Sequence, residues 1–324
     1  MRRPLRLAAG LIAGMLALGA CGGERTDNAA SNGNGGRLSI ATGNTTGVYY
    51  VLGGGYAAVI NAHLSGYRAT AEATGASVEN VRRVVSGQSD IAFCLADTAF
   101  DAVSGQGSFD SKQPIRALAR VYSNYTHVIV RADSGINKIE DMKGKKISTG
   151  SPKSGTEVIA LRLLKAAGLT KDDIKQQALA LPETTDGMKN GSIDGLFWSG
   201  GLPTAGIKDL ASAMKGKIKF LDLSPYLTKM QGVSPLYVGA SIRKDAYGLD
   251  ADAPTIAVPN VIIVRDTMSN DLAAKLTALL FDYKADLIKV HPEAKNIDVK
   301  TAQETGGIPL HPGAQQYYAQ HKNG

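Results

Sequence analysis

The sequence predicts an α/β protein of two lobes, and three observations support this prediction. Short apolar runs typical of strands alternate with helix-like segments along the chain. About 300 residues follow the first 20, which is more than one hydrophobic core usually serves. No long linker divides the residues after Gly36. We therefore expect a chain that weaves between two lobes, with mainly parallel sheets that bind ligands at the carboxyl ends of their strands.

The N-terminal segment is typical of a secreted lipoprotein. Residues 1–20 are predicted to be a signal peptide, because an arginine-rich start precedes an apolar stretch too short to span a bilayer. Leu18–Cys21 looks like a bacterial lipobox, in which Cys21 becomes lipidated; the alternative is a plain signal peptide with an accidental cysteine. Residues 21–36 would then carry the lipid and form a flexible tether. We expect a membrane-anchored protein of the cell envelope, extracytoplasmic and either periplasmic or on the outer face of the membrane.

The composition argues against a nucleic-acid partner. Loss of Arg2, Arg3 and Arg6 with the signal leaves 33 basic and 29 acidic side chains, a net charge of about +4. The chain also contains no Arg/Lys run that could follow a phosphate backbone. We expect no nucleic acid among the partners.

Patterns of catalytic and metal-binding residues are missing from the sequence. It contains neither a His-Glu-x-x-His pair nor a Gly-x-Ser-x-Gly elbow. Cys94 is the one cysteine beyond the lipobox, and its apolar run Ile91–Ala96 predicts a core position. We expect no catalytic residue, cofactor or metal, and favour binding over catalysis.

The order of the predicted elements is that of an alternating α/β chain. Apolar runs predict strands at Leu38–Ala41, Tyr67–Ala71, Ile91–Leu95, Ile115–Val121, His127–Val130, Lys146–Ser148, Gln177–Leu181, Leu196–Trp198, Ile218–Leu221 and Thr255–Val264. Helical periodicity predicts helices at Val48–His63, Val78–Val85, Thr156–Ala167 and Asn270–Ile288. Gly87 and Gly168 are expected to end two of them. Asn80 could face a cleft or support a turn, and we favour support.

The loop between the first strand and the first helix is rich in small and hydroxyl-bearing residues. Thr45 or Thr46 is expected to cap the helix. Free N–H groups and the positive end of the helix dipole make such a loop an anion site, with Tyr49 as a flat wall. The alternative is that this loop is an ordinary turn between a strand and a helix, which we would favour if only one such loop occurred in the chain. The candidate ligand contacts here are Thr42, Gly43, Asn44, Thr45, Thr46 and Tyr49.

A second loop of the same kind follows the strand Lys146–Ser148. Ser154 or Thr156 can cap its helix, and Lys153 adds a positive charge. The loop faintly resembles a P-loop but lacks the lysine that holds nucleotide phosphates, so we favour a carboxylate or another small anion. The candidate ligand contacts here are Ser151, Lys153, Ser154, Gly155 and Thr156.

A third candidate region is the strand end at the only tryptophan of the chain. Small residues follow Trp198, so its ring could belong to the core or form a wall of the cleft. We count Trp198 and Ser199 among the candidate ligand contacts.

Seven short motifs make the chain resemble the TAXI family of solute-binding proteins, which serve tripartite ATP-independent periplasmic (TRAP) transporters. They are Ile40–Gly43 with Gly47–Tyr50, Gly75–Asn80, Ser134–Ile136 with Asp141–Lys145, Ser154–Glu157, Gly191–Asp194, Pro254–Val258 and Leu310–Ala314. The motifs are short, but they occur in the family's order and cover essentially the whole mature chain.

The resemblance implies a type II periplasmic-binding-protein-like fold, in which a hinge joins two α/β lobes around a ligand cleft. We expect lobe 1 at residues 37–132 plus 255–324 and lobe 2 at 133–254. The implied function is an extracytoplasmic receptor, not an enzyme, that delivers a small carboxylate to TRAP-type permease subunits. The carboxylate would be an organic acid or an acidic amino acid such as glutamate. The alternative is a binding protein of the same fold for an ABC transporter or a sensor.

Two positions depart from the pattern of the TAXI family. Many relatives carry Gln or Asn where this chain has Leu95-Ala96, and a glycine is common at the position of Lys153. If Lys153 points inward, its charge would favour a ligand with an additional carboxylate.

Overall fold

The computed structural model describes residues 36–321, in which strands and helices alternate as predicted. The predicted signal peptide, Cys21 and nearly all of the predicted tether lie outside these residues. The strands are β1 (Gly36–Ala41), β2 (Tyr67–Glu72), β3 (Ile91–Leu95), β4 (Ile115–Arg131), β5 (Lys146–Ser148), β6 (Lys175–Gln177), β7 (Gly195–Gly200), β8 (Ile218–Phe220), β9 (Val238–Ile242) and β10 (Ala253–Arg265).

The helices fall between the strands and after the last of them. They are α1 (Val48–His63), α2 (Ser77–Ser86), α3 (Ala96–Ser104), α4 (Gly155–Ala166), α5 (Leu181–Asn190), α6 (Ala205–Ala213), α7 (Leu227–Val233), α8 (Lys244–Tyr247), α9 (Asn270–Asp282), α10 (Lys284–Val290) and α11 (Pro312–Gln320). No helix within residues 36–321 is both long and apolar enough to cross a bilayer.

One mixed sheet runs through the described residues in the order β2-β1-β3-β10-β4-β7-β5-β6. The neighbours of β1 and β5 pair in parallel, whereas β4 and β10 are antiparallel to their partners. The parallel strands therefore form two separate groups, each followed by helices that pack on the sheet.

The long strands β4 and β10 join the two groups. They pair with each other up to the register Tyr125–Ala257, beyond which β4 pairs with β7 and β8, and β10 pairs with β9. On the other side of that point, β10 pairs with β3. The two strands thus cross from one lobe to the other, as a hinge between lobes requires.

Each lobe has apolar clusters on its part of the sheet. In one lobe, Leu52, Tyr56 and Ile60 of α1 pack with Ile40 of β1. In the other, Ile159 and Leu163 of α4 pack with Ile147 and Phe197. Cys94 is buried and free, which confirms the predicted core position.

Several predicted boundaries are wrong for identifiable reasons. The strands predicted at Ile115–Val121 and His127–Val130 are one strand, because the polar residues between them are buried at the crossing. The predicted strand Gln177–Leu181 ends at Gln177, and Leu181 begins α5. The predicted helix Asn270–Ile288 is split at Tyr283 into α9 and α10. Gly36, placed in the tether by the sequence, begins β1 by donating its N–H to Gly66.

Candidate functional site

A narrow cleft lies between the lobes, at the carboxyl ends of β1, β3 and β7 and in the loop after β5. Its walls come from both lobes, and its floor comes from β4. The lining residues are Gly43, Asn44, Gly47, Val48, Tyr49, Gly75, Ala76, Ser77, Leu95, Tyr122, Asn124, Ser151, Ser154, Gly155, Thr156, Trp198, Ser199 and Gly200. The cavity volume is about 30 Å³, which is room for about two water molecules.

The first predicted loop contributes fewer contacts than expected. Gly43, Asn44 and Tyr49 line the cleft, whereas Thr42, Thr45 and Thr46 do not. Thr42 is buried beneath the loop and donates its hydroxyl to the Glu72 carbonyl at 2.6 Å.

The two threonines proposed as caps of α1 have other surroundings. Thr45 is exposed, and the hydroxyl of Thr46 lies near Gly206 of α6. Gly47 is the N-cap of α1, without a side-chain cap. The predicted cap at Thr45 or Thr46 is therefore wrong.

The second predicted loop lies in the cleft, except for Lys153. Ser154 caps α4 by accepting the Glu157 N–H at 2.9 Å. Thr156 is not the cap, since its hydroxyl accepts the Ser199 N–H at 3.2 Å. Ser151, Ser154, Gly155 and Thr156 all line the cleft.

Lys153, a candidate ligand contact, is exposed and does not line the cleft, so the condition under which its charge would favour an additional carboxylate is not met. Its φ is +61°, in the left-handed region that glycine adopts freely. This backbone conformation explains why glycine suits the position. The carbonyl of Lys153 accepts the Glu79 N–H from the opposite lobe at 3.1 Å.

The sequence did not identify a third loop of the cleft, Gly75–Ser77. Ala76 has φ +80° and ψ −149°, a region that is strained for any residue with a Cβ. Strain of this kind concentrates at functional sites. The only signal in the sequence was the Gly75–Asn80 motif. Asn80 supports this region, because its amide donates to the carbonyls of Thr42 and Phe93 at 2.7 and 2.8 Å.

Three helices begin at the cleft. The first residues of α1, α2 and α4 are Val48, Ser77 and Gly155, and all three line it. Each helix start presents backbone N–H groups and the positive end of a dipole. Because the three converge on one cavity, the cleft is suited to an anion.

A buried network of polar side chains connects the cleft lining to the crossing strands. Tyr49 donates its hydroxyl to Asn260 Oδ1 at 2.5 Å, and Asn260 donates to Asn124 Oδ1 at 2.9 Å. Asn124 in turn donates to the Ser199 carbonyl at 3.1 Å. Burial raises the pKa of Tyr49, so its phenol stays protonated. Tyr49 therefore offers the cleft its ring, while its proton is donated to Asn260 of β10.

Trp198 is a wall of the cleft. Its indole N–H donates to the Thr204 hydroxyl at 3.1 Å, which fixes the ring. A Cβ on Gly47 would lie 3.3 Å from the ring atom Cη2, so the indole packs against the opposite lobe.

Two hydroxyl groups in the cleft lining have no hydrogen-bond partner among the described residues. They belong to Tyr122 and Ser199, whose residues are only 2% and 6% exposed. A buried polar group without a partner costs about 1–3 kcal/mol, so such groups need an explanation. A ligand in the cleft would supply the partner. The sequence pointed to Ser199 but not to Tyr122, which reaches the cleft only because β4 crosses between the lobes.

Direct contacts already hold the lobes together in this structure. Asn44 donates to the Ser151 hydroxyl at 3.2 Å and accepts the Leu181 N–H at 2.6 Å. Arg162 of α4 forms ion pairs with Asp97 and Asp101 of α3 at 2.8 and 2.5 Å. The structure therefore has the lobes in contact around a small cavity.

The cleft offers no obvious place for a metal ion. Within residues 36–321, no group of three or more His, Cys, Asp or Glu side chains is close enough together to hold one. No charged side chain of those residues lines the cleft either.

Comparison with known proteins places this chain in a family. Residues 40–321 match the sequence profile described as the NMT1-like family. The chain belongs to the NMT1-like family.

Solved structures share the fold of this NMT1-like protein. One is the binding-protein component of an ABC phosphonate transporter from Pseudomonas aeruginosa, at 13% identity and a TM-score of 0.55, with 89% of this chain and 95% of that chain covered. A second is a protein from Xanthomonas citri bound to a chloride ion, at 13% identity and a TM-score of 0.51, with 88% and 95% covered.

The comparison also finds a similarity to the alkanesulfonate-binding protein SsuA from Xanthomonas axonopodis pv. citri bound to MOPS, at 14% identity and a TM-score of 0.49, with 89% of this chain and 85% of that chain covered. The phosphonate-transporter component, with the highest TM-score of the three, matches this chain over nearly its whole length. The predicted fold class, an α/β protein of two lobes like a type II periplasmic binding protein, is confirmed.

Proposed function

We propose that the protein is a receptor of the TAXI type that binds a small carboxylate in the cleft and delivers it to a TRAP-type secondary transporter. The observation that carries this proposal is the convergence of three helix starts, those of α1, α2 and α4, on one cavity between the lobes. Membership of the NMT1-like family supports it, as does the fold of periplasmic binding proteins.

The proposed ligand contacts come from both lobes. Backbone N–H groups at the three helix starts would bind the carboxylate oxygens, together with the hydroxyls of Ser151, Ser154, Thr156, Ser199 and Tyr122. Gly43, Asn44, Tyr49, Gly155 and Trp198 would form the walls. We further propose that residues 37–132 and 255–324 form one lobe, that 133–254 form the other, and that β4 and β10 are the hinge.

The proposal is tested by the ligand that the protein retains. Mass spectrometry of protein purified without denaturation should detect a small carboxylate, which calorimetry should show to rebind. The same acid should be recovered unchanged after incubation, since a receptor does not convert its ligand. Failure of every small carboxylate to bind would contradict the proposal.

The second candidate is a receptor of the same fold for an ABC transporter, and the similarity to a component of an ABC phosphonate transporter supports it. Uptake into membrane vesicles separates the two candidates. A TRAP-type partner should drive uptake by an ion gradient without ATP. Uptake that requires ATP would favour the ABC partner.

We also propose that Cys21 anchors the protein on the extracytoplasmic face of a membrane. Cys21→Ala should release the protein from the membrane fraction but leave ligand affinity unchanged, because the proposed ligand contacts lie between Gly43 and Gly200. A variant that stays membrane-bound after carbonate washing would overturn the anchor.

A further inference from the structure

We propose that the cleft selects a compact anion without an ammonium group and therefore discriminates simple, oxo and hydroxy acids from the corresponding amino acids. This inference rests on the proposed carboxylate receptor and narrows its substrate class. The inference follows from the hydrogen bonds that polar atoms of the cleft already make within the protein, and from those that they leave open to a ligand.

The hydroxyls on one side of the cleft are available as donors. Ser151 accepts a hydrogen bond from Asn44 Nδ2, Ser154 accepts one from the Glu157 N–H, and Thr156 accepts one from the Ser199 N–H. A hydroxyl has a single hydrogen, and in all three it is free to be donated. The unpartnered hydroxyls of Tyr122 and Ser199 add two more donors. The cleft is thus rich in groups that bind anion oxygens.

The side-chain amide oxygens of the cleft each accept a hydrogen bond within the protein already. The amide oxygen of Asn44 accepts the Leu181 N–H at 2.6 Å, and that of Asn124 accepts from Asn260 at 2.9 Å. An ammonium group, which can only donate, would find only neutral oxygens in the cleft lining, those of hydroxyls and of amides that already accept a hydrogen bond, and no carboxylate.

Two acidic groups beside the cleft are engaged as well. The Glu79 carboxylate accepts the Gly75 N–H at 2.8 Å. Asp97 pairs with Arg162 at 2.8 Å and accepts the Tyr237 hydroxyl. Neither acid lines the cleft. An ammonium bound there would be desolvated without a counter-charge and would face the positive ends of three helix dipoles.

The dimensions of the cleft limit the ligand further. With the lobes in contact, the cavity is about 30 Å³, and Trp198 packs against Gly47 across it. Only a compact anion fits without moving the walls apart.

Calorimetry with matched pairs tests the inference: pyruvate against L-alanine, and 2-oxoglutarate against L-glutamate. We expect the oxo acid of at least the smaller pair to bind about 100-fold more tightly than its amino acid. Equal binding of both members, or preference for the amino acid, overturns this inference and leaves the carboxylate receptor intact. If no member of either pair binds, and acetate and L-lactate also fail, both the inference and the proposed receptor are overturned.

A charge-matched pair of variants tests the cause. Asp and Asn cap a helix about as well as Ser, so Ser154→Asp and Ser154→Asn both preserve the start of α4. The two side chains are similar in size, but only Asp brings a carboxylate to the cleft. We expect Ser154→Asp to reduce the preference for the oxo acid at least 10-fold relative to Ser154→Asn. The same preference in both variants, with melting temperatures close to wild type, would overturn the electrostatic basis of the inference.

Discussion

At the scale of single residues, removal of the Tyr122 hydroxyl should affect ligand affinity without lowering the stability of the fold. It has no hydrogen-bond partner among the described residues, so Tyr122→Phe removes no hydrogen bond from that part of the protein. We expect the free energy of unfolding to stay the same or rise. Affinity for the ligand should fall about ten- to a hundred-fold, because a hydrogen bond to a charged group contributes roughly 1.5–3 kcal/mol. Chemical denaturation and calorimetry on the same sample measure both quantities.

Tyr56→Phe is the matched control. The Tyr56 hydroxyl is buried and donates to the Leu276 carbonyl at 2.7 Å, and neither residue lines the cleft. This variant should lose about 1 kcal/mol of stability and keep its affinity. Unchanged affinity in Tyr122→Phe would place its hydroxyl outside the ligand contacts.

His127 makes stability depend on pH. It is buried on β4, where Nδ1 lies 2.9 Å from the Tyr125 carbonyl and Nε2 lies 2.9 Å from the Tyr247 hydroxyl. Tyr247 also accepts the Thr204 N–H. Neutral His127 satisfies all of these groups when Nδ1 donates and Nε2 accepts. Burial lowers the pKa of His127 from 6.5 to about 4.

The sign of the effect follows from this lowered pKa. Between pH 6.5 and about 4, the unfolded chain binds a proton at His127 that the folded protein does not, so stability is present above pH 6.5 and falls as the pH drops. From pH 7 to pH 5, the free energy of unfolding should fall by about 2 kcal/mol through this residue.

His127→Asn removes the titrating group and should show a correspondingly smaller fall in urea denaturation at the two pH values. His291 and His311, whose pKa values are also lowered by burial, retain their own contribution in both proteins. An identical fall in variant and wild type would rule out His127 as a source of acid sensitivity.

At the scale of elements, helices α3 and α4 are joined by buried charges. Arg162 pairs with Asp97 and Asp101 and donates to the Tyr237 hydroxyl at 2.9 Å. Burial raises the pKa of Asp97, and the guanidinium of Arg162 opposes that rise. The pair therefore depends on both partners being present.

We expect Arg162→Ala to lower the free energy of unfolding by about 3–5 kcal/mol, because it leaves a buried acid without a counter-charge. Lys275→Ala, which breaks the exposed pair with Asp271, is the control and should cost less than about 0.5 kcal/mol. Equal small losses in both variants would mean that the charges between α3 and α4 are well solvated.

Elements with a strong local pattern were predictable from the sequence. The bounds of α1, β3 and β5 match the prediction, because each is a clear periodic or apolar run between turn residues. β9 was not predicted, since most of its residues are exposed and it has no apolar alternation. β4 was divided into two strands because the polar residues at its centre are buried only through contact with β10, a partner distant in sequence.

In the candidate site too, features set by local sequence were predictable, whereas features set by contacts between distant segments were not. Strand–loop–helix segments at Asn44 and Ser154 could be recognised, because helix starts and small residues are local features. Tyr122 and Asn124 enter the cleft only through the crossing of β4 and β10. The outward position of Lys153 follows from its backbone conformation and its contact with the opposite lobe, neither of which a local pattern contains.

At the scale of the whole molecule, Gly155 marks where the lobes meet. A Cβ at this position would lie 2.4 Å from Leu95 Cδ1 and 2.7 Å from Ser77 Oγ, both on the opposite lobe. Such contacts are too short, so the two lobes can approach this closely only because Gly155 has no side chain. Ala at this first position of α4 suits the helix itself.

We expect Gly155→Ala to hold the lobes apart without unfolding either of them. Small-angle scattering of the wild type should give a smaller radius of gyration with a saturating small carboxylate than without, as hinge closure requires. In Gly155→Ala this decrease should shrink and affinity should fall, while circular dichroism should show that both lobes stay folded. Gly54→Ala on α1 is the control, because its Cβ would meet no atom within 4 Å. It should gain about 0.4–1 kcal/mol of stability and should bind and close like the wild type. If Gly155→Ala also binds and contracts like the wild type, closure does not bring α4 against Leu95 and Ser77, and the hinge motion must be sought elsewhere in β4 and β10.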